Sequence, residues 1–147
     1  MKRVNQLFLG LIILGATAMT SCKKEGCIDP DSTTYSANAK KDDGTCQYEG
    51  RNVFWYGQVA SDGLMADGAT NLTFNVDGQV VGSTATSVYW TDAPDCGDNA
   101  SITVTKDLGG VKTQSYSYSV KDQTGYVYWS GNLNFNANTC FATELSW

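Results

Sequence analysis

The stretch Ser115-Tyr116-Ser117-Tyr118-Ser119-Val120 alternates serine with a larger side chain. Successive side chains of a β-strand point to opposite faces, so this period of two predicts a strand with one polar and one apolar face. The predicted inner face carries Tyr116, Tyr118 and Val120.

Similar short runs, rich in Val, Tyr, Trp and Thr and separated by Gly, Asp and Asn, fill the chain from Arg51 onward. No run shows a helical period, and Asp77-Gly78 predicts a tight hairpin turn. The predicted strands span 52–59, 71–76, 79–84, 87–90, 101–106, 111–121, 126–135 and 140–145. This pattern predicts an all-β fold for residues 51–147, an antiparallel β-sandwich of seven or eight short strands, with a small β-barrel as the alternative.

The composition excludes several classes of function. The 147 residues include 10 Lys+Arg, 15 Asp+Glu and no His, which gives a formal charge of −5. Without His there is no Ser-His or Cys-His nucleophile pair and no imidazole metal ligand. An acidic chain also lacks the basic surface that neutralises phosphates, so nucleic acid is not an expected partner. Because phosphate loops and G-x-S-x-G elbows are absent too, the sequence predicts a protein that is not an enzyme, and a hydrolase is the less favoured alternative.

Residues 1–21 have the features of an export signal. Lys2 and Arg3 precede an apolar run, residues 7–18, that is too short to cross a bilayer. The junction Met19-Thr20-Ser21-Cys22 resembles a bacterial lipobox. The resemblance implies a lipoprotein cleaved before Cys22, which would carry diacylglycerol and palmitate, with residues 22–26 as a lipidated tether. An ordinary secretory signal with a free Cys22 is the alternative.

The remaining cysteines are even in number, as expected in an oxidising compartment. Composition alone leaves three connectivities open. Their positions favour Cys27–Cys46 within the N-terminal part and Cys96–Cys140 within the sandwich.

Residues 27–48 are poor in apolar side chains and rich in turn formers. Their ends, Cys27-Ile28-Asp29-Pro30 and Asp42-Asp43-Gly44-Thr45-Cys46, resemble a disulfide-closed segment common in secreted Bacteroidota proteins. The resemblance implies a small extracellular spacer. The carboxylates of Asp29, Asp31, Asp42 and Asp43 are candidate Ca²⁺ ligands, but their spacing does not fit an EF-hand. Turn-forming aspartates are the favoured interpretation, and no cofactor is predicted.

Aromatic rings on outer strand faces are the candidate ligand-binding residues. Alternation predicts an inner face that includes Val53, Trp55, Val59, Val88, Trp90, Val127, Trp129, Leu133 and Phe135. It leaves outward Tyr56, Tyr89, Tyr126 and Tyr128, with Phe54 as a further candidate. These rings could stack on a glycan, although plain sheet packing is the favoured interpretation.

Several short motifs follow one another along residues 51–147: Val53-Phe54-Trp55, Val76-Asp77-Gly78, Pro94-x-Cys96-Gly97, Trp129-Ser130-Gly131, and Glu144-Leu145 after Cys140. Their succession resembles a group of small, poorly characterised cell-envelope lipoproteins of Bacteroidota. The resemblance implies a disulfide-stapled β-domain on the envelope and brings no catalytic residue.

The sequence thus predicts a lipid-anchored cell-envelope protein, most simply of the outer membrane, that displays a non-catalytic β-sandwich. Its expected role is structural or one of interaction, with glycan or other ligand binding as the alternative. The expected partners are the membrane, through the lipid, and an envelope protein or a glycan. Both the periplasmic face and the cell surface remain open.

Overall fold

The computed structural model describes residues 23–147; the predicted signal peptide, residues 1–21, and the predicted acylation site Cys22 lie outside the described residues. Seven strands and one helix form this part of the chain: β1 (Tyr48–Trp55), α1 (Gln58–Ala66), β2 (Asn71–Val76), β3 (Gln79–Ala85), β4 (Ile102–Gly109), β5 (Thr113–Asp122), β6 (Val127–Asn136) and β7 (Cys140–Glu144). The strands form two sheets, ordered β4-β1-β7 and β3-β2-β5-β6. The predicted sandwich is confirmed, and the barrel alternative is wrong because the two sheets do not close on each other.

Antiparallel pairing dominates both sheets. β5 pairs with β2 on one side and β6 on the other, and β4 pairs with β1. The exception is β7, which runs parallel to β1 from Arg51↔Cys140 to Trp55↔Glu144. The turn at 137–139 carries the chain from one sheet to the other, and the Asn138 amide there donates to the Glu49 carbonyl at 2.8 Å.

The core lies between the sheets, where β1 faces the four-stranded sheet. The Phe54 ring packs against Phe74 and Tyr118, with centroids 5.3 and 5.4 Å apart. Val120 is fully buried, and Tyr116 and Tyr118 pack against the core. The predicted inner face of β5 is therefore confirmed.

The expectation that no segment is helical is wrong. Gly57, with extended backbone, precedes α1, and Gly68 at φ 85° follows it as a left-handed residue that terminates a helix. Only Ala60, Ser61 and Leu64 of α1 are buried. A helix of nine residues with two buried apolar positions four apart is too short to show a clear period.

The strand bounds change where α1 and a loop replace predicted strand. β1 ends at Trp55, and residues 87–90 form no strand. Val59 and Val88, both predicted to face inward, are 75% and 41% exposed. Each lies outside the sheets, so strand alternation does not apply to it.

Both predicted disulfides are present. Cys27–Cys46 links residues 19 apart in sequence, and Cys96–Cys140 links residues 44 apart. Cys140 is the first residue of β7, and in the part of the chain that the structure describes this strand pairs with β1 alone. The second disulfide therefore gives this edge strand another attachment, to the loop before β4.

The N-terminal segment, residues 27–47, packs on the sandwich. Its two cysteines are buried in the same core cluster as the strands. Ser32 Oγ donates to the Gln47 carbonyl at 2.7 Å. From the connection between β4 and β5, Lys112 Nζ reaches Asp29 at 2.6 Å and Asp31 at 3.0 Å. The segment and the sandwich thus share a core and an ion-pair cluster.

Gly50 lies where the two sheets approach closely. A Cβ at this position would be 2.8 Å from the Asn136 carbonyl oxygen and 3.0 Å from Phe135 Cβ. We expect Gly50→Ala to lower the free energy of unfolding by about 1–3 kcal/mol, because the backbone of β6 would have to move. Urea denaturation followed by tryptophan fluorescence measures the change.

The matched control is Gly110→Ala, because the nearest atom to its added Cβ is the Cys46 carbonyl oxygen at 3.9 Å. This variant should stay within about 0.5 kcal/mol of the wild type. Equal losses in the two variants would contradict the close approach of the sheets at Gly50.

Candidate binding surfaces

Tyr126, Tyr128 and Trp147 form a group of neighbouring rings that we call the aromatic surface. The centroids of Tyr126 and Tyr128 are 5.0 Å apart, and those of Tyr128 and Trp147 are 6.0 Å apart. Trp147 lies on Gly63 of α1, where a side chain would collide with its ring. Tyr126 is 64% exposed and Trp147 56%, so two of the rings are open to solvent.

Tyr128 is not outward as predicted; it is half-buried and packs against the core. The reason is a bulge: Trp129 pairs with Val120 and Val127 with Lys121, which leaves Tyr128 as an extra residue on β6. Alternation therefore changes face at this point. Val127, predicted to face inward, is 43% exposed.

Tyr56 is also not outward as predicted. It is 2% exposed, and its hydroxyl donates to the Ala85 carbonyl at 3.2 Å. Burial raises its pKa to about 12. Phe54, the further candidate, is likewise 2% exposed. Since Val53 is fully buried too, both faces of β1 are covered, and neither ring can meet a ligand from solvent.

Tyr89 lies in the loop between β3 and β4 and is 42% exposed, which agrees with its predicted exposure. In the part of the chain that the structure describes, its ring pairs with no other aromatic ring. Tyr126 and Tyr128 are therefore brought together, whereas Tyr56 and Tyr89 do not join them.

The four candidate calcium ligands form turns and ion pairs. Asp29 and Asp31 both contact Lys112. The carboxylate of Asp42 accepts the Gly44 amide at 3.1 Å, and that of Asp43 accepts the Thr45 amide at 3.0 Å. Within residues 23–147, no group of three or more acidic, Cys or His side chains is arranged to hold a metal.

Lys112 controls the ionisation of Asp29. Its hydrogen bond holds the pKa of the Asp29 carboxyl below 3.8, helped by the Asp31 amide and the Tyr48 hydroxyl. A carboxyl whose pKa is lower in the folded state stabilises the fold above its unfolded pKa, and this contribution is lost as pH falls through the folded value. The contact between the N-terminal segment and Lys112 should therefore persist at neutral pH and be lost under acidic conditions, as the pH falls through the lowered pKa of Asp29.

We expect Lys112→Met to raise the Asp29 pKa toward 3.8, measured by NMR titration of the side-chain carboxyl carbon. The control is Asp43, whose pKa is lowered chiefly by the Thr45 hydroxyl and which should not respond. An Asp29 titration unchanged by the substitution would show that the ion pair does not form in solution.

A second surface, which the sequence did not predict, is a cleft between β6 and β7. Each of these strands ends its sheet, so among residues 23–147 each has one edge without a neighbouring strand. The cleft between them, which we call the edge cleft, has a volume of about 470 Å³. Side chains from both strands line it, together with Asn52 and Tyr118 from the interior. The repeated asparagines of β6, at 132, 134 and 136, are the sequence signal that could have indicated it.

Comparison of the chain with protein-family models, with curated proteins and with solved structures finds no match. Among the residues described, no helix has the length and apolar character needed to cross a membrane.

Proposed function

We propose that the protein is a lipid-anchored component of the cell envelope that displays a non-catalytic β-sandwich for interaction. The anchor is a lipid on Cys22, the body is the disulfide-linked sandwich, and the proposed compartment is the outer membrane. The observation that carries the proposal is the attachment of the chain to the body directly after Cys22.

The residues that follow Cys22 are hydrogen-bonded to the N-terminal segment through a short parallel β-bridge between Glu25 and Lys41. The Lys40 amide donates to the Lys24 carbonyl at 2.8 Å, and the Gly26 amide donates to the Lys41 carbonyl at 3.1 Å. Glu25 also forms an ion pair with Lys41 at 2.6 Å. From Lys24 on, the chain is held against the N-terminal segment, and the disulfide Cys27–Cys46 fixes that segment to the core.

This geometry limits how far the body can stand from the bilayer. Two residues of extended chain span at most about 7 Å, so a lipid on Cys22 would hold the sandwich next to the membrane surface. The residues expected to form a tether would then act as a short, ordered base. An acyl anchor that ends in a disulfide-fixed segment suits a protein that presents a rigid surface at the membrane.

Fractionation of cells tests the anchor. The wild-type protein should sediment with membranes and enter the detergent phase, because two or more acyl chains bind a bilayer stably. Cys22→Ala should remove the lipid site and release the folded protein. A matched control, Ser21→Ala, keeps the cysteine and a small residue before it and should stay membrane-bound. Equal partition of wild type and Cys22→Ala would contradict the proposal.

The carboxyl groups support the non-catalytic part of the proposal. The shifted carboxyl pKa values, those of Asp29, Asp43 and Asp122, are all lowered, chiefly by side-chain hydrogen bonds from Lys112, Thr45 and Thr124. A carboxyl that donates a proton near neutral pH needs its pKa raised instead. These groups are held ionised, as turn and ion-pair residues are.

A second candidate function is glycan binding at the aromatic surface. It is favoured by the exposure of Tyr126 and Trp147, which both lie next to the ring of Tyr128. Aromatic faces offer apolar area with little loss of conformational entropy. Titration with oligosaccharides should change tryptophan fluorescence if Trp147 is stacked. Tyr126→Ala should weaken such binding, and Tyr89→Ala, which lies apart from these rings, should leave it unchanged.

A further inference from the structure

The side chains that line the edge cleft share one property: within the described residues, none of them carries a charge. The protein as a whole has a formal charge of −5, and the lining of the cleft carries none of the charged groups. The hydrogen-bonding side chains are mainly amides and hydroxyls, including Asn52, Asn132, Asn134, Asn136 and Thr143.

Asn52 is the unusual member of this set. Side chains of alternate residues share a face of a strand, and Asn52 therefore points to the same side of β1 as the core residue Phe54. It is only 2% exposed, at a position where an apolar residue would pack. Burying an amide is unfavourable unless its groups are hydrogen-bonded. Within residues 23–147 no fully buried side-chain nitrogen or oxygen atom lacks a partner, so the part of the Asn52 amide that makes no hydrogen bond reaches the surface of the cleft.

One half of the Asn52 amide has a partner and the other is free. Thr143 Oγ1 donates to Asn52 Oδ1 at 2.8 Å, which fixes the orientation of the amide. Nδ2 donates to no atom of residues 23–147, although an asparagine NH₂ group can donate two hydrogen bonds. Because Asn52 lines the cleft, this donor is available to a molecule that enters it.

The apolar part of the cleft is supplied by Phe141 and Leu133. Phe141 is 40% exposed on β7, and Leu133 is buried on β6. An exposed ring beside amides and hydroxyls can cover the apolar face of a flat ligand while the amides bind its polar edge. The volume, about 470 Å³, falls within the roughly 300–1,000 Å³ typical of small-ligand sites.

We propose that the edge cleft binds a neutral carbohydrate, with Asn52 and Asn134 bonding its hydroxyls and Phe141 covering one face of a sugar ring. The uncharged lining disfavours phosphates, uronic acids and ammonium ligands. The other occupant of a free strand edge, an extended peptide, would need pockets for alternate apolar side chains, and the polar residues here do not offer them. This inference shares a ligand class with the second candidate function but places the ligand elsewhere.

The test is isothermal titration of the disulfide-intact protein with hexasaccharides of glucose, mannose and xylose, and with hexagalacturonate as the charged comparison. At least one neutral hexasaccharide should bind, and hexagalacturonate should bind more than tenfold more weakly. If no neutral hexasaccharide binds at millimolar concentration, the proposal is wrong, whether or not a peptide pairs with β7. Preference for hexagalacturonate would also overturn it.

Substitutions in the cleft test where on the protein the carbohydrate binds. Asn52→Leu should abolish binding, and because this buried change could also disturb folding, Asn134→Ala and Phe141→Ala provide exposed alternatives. Each should weaken binding at least tenfold with an unchanged circular-dichroism spectrum. Asn71→Ala, an exposed asparagine on β2 outside the cleft, is the matched control. Loss of binding in Tyr126→Ala with retention in both cleft variants would place the ligand on the aromatic surface and refute the edge cleft.

Discussion

Replacement of the Cys96–Cys140 disulfide by Cys96→Ser/Cys140→Ser is expected to lower the free energy of unfolding by about 4 kcal/mol. The bond closes a span of 44 residues, and loop-closure entropy of the unfolded chain gives this magnitude. For a chain of this size the melting temperature should fall on the order of 10–20 °C. Thermal unfolding followed by circular dichroism measures the shift.

The loss should be accompanied by local loosening of β7. This strand lies at the edge of its sheet beside β1, and Cys140 links its first residue to the loop before β4. Hydrogen exchange should therefore accelerate at Phe141 and Ala142 more than at Val120 of β5, which pairs with a strand on each side. A melting temperature lowered by less than about 2 °C, or uniform exchange in both strands, would contradict this role for the disulfide.

Phe54→Ala is expected to lower the free energy of unfolding by about 3–5 kcal/mol, because it removes a buried ring from a packed core. Phe54 is 2% exposed and contacts Phe74 and Tyr118. Chemical denaturation of the variant measures the loss. If the variant is too unstable for a folded baseline, Phe54→Leu keeps most of the volume and should cost about 1.5 kcal/mol or less.

Val59→Ala is the control for this prediction. The side chain is 75% exposed on α1, so its truncation should change stability by about 0.5 kcal/mol or less. Strand alternation places the two residues the other way round, with Val59 inside and Phe54 outside. A large loss for Val59→Ala and a small one for Phe54→Ala would therefore contradict the observed packing of β1.

The strands and their buried faces were predictable where one face of a sheet is buried and the other is exposed to solvent. β2 matches its predicted bounds, and β5 shows the predicted alternation because serines line its outer face. Asp77 and Gly78 have the positive φ values, 56° and 74°, that their hairpin turn requires. In these elements local sequence and tertiary environment agree.

Strand alternation assigned the wrong faces where tertiary packing, rather than the alternation of side chains along a strand, determines burial. β1 is covered on both faces, so Val53 and Phe54 are both buried and alternation cannot separate them. In β6 the bulge at Tyr128 moves the side chains that precede it to the other face. The residues around the bulge, Val127 to Trp129, include no glycine that would mark it in the sequence.

Some candidate sites could be predicted from local sequence, and others could not. The acidic turns follow from local chemistry, because Asp-x-Gly and Asp-x-Thr sequences form their own hydrogen bonds. The edge cleft depends on which strands end their sheets and on the parallel pairing of β7. Those are properties of topology. The alternating asparagines of β6 mark one wall of the cleft in the sequence, but no local signal shows that β7 lies opposite them.

The central claim is a lipid on Cys22 that holds a body whose other four cysteines are paired with each other. Intact-mass spectrometry of protein extracted from membranes, with and without a thiol-alkylating reagent, tests it most directly. The account predicts a mature chain that begins at Cys22, carries a diacylglyceryl adduct and gains no mass from the reagent. An unmodified Cys22, or alkylation of Cys27, Cys46, Cys96 or Cys140 before reduction, would contradict it.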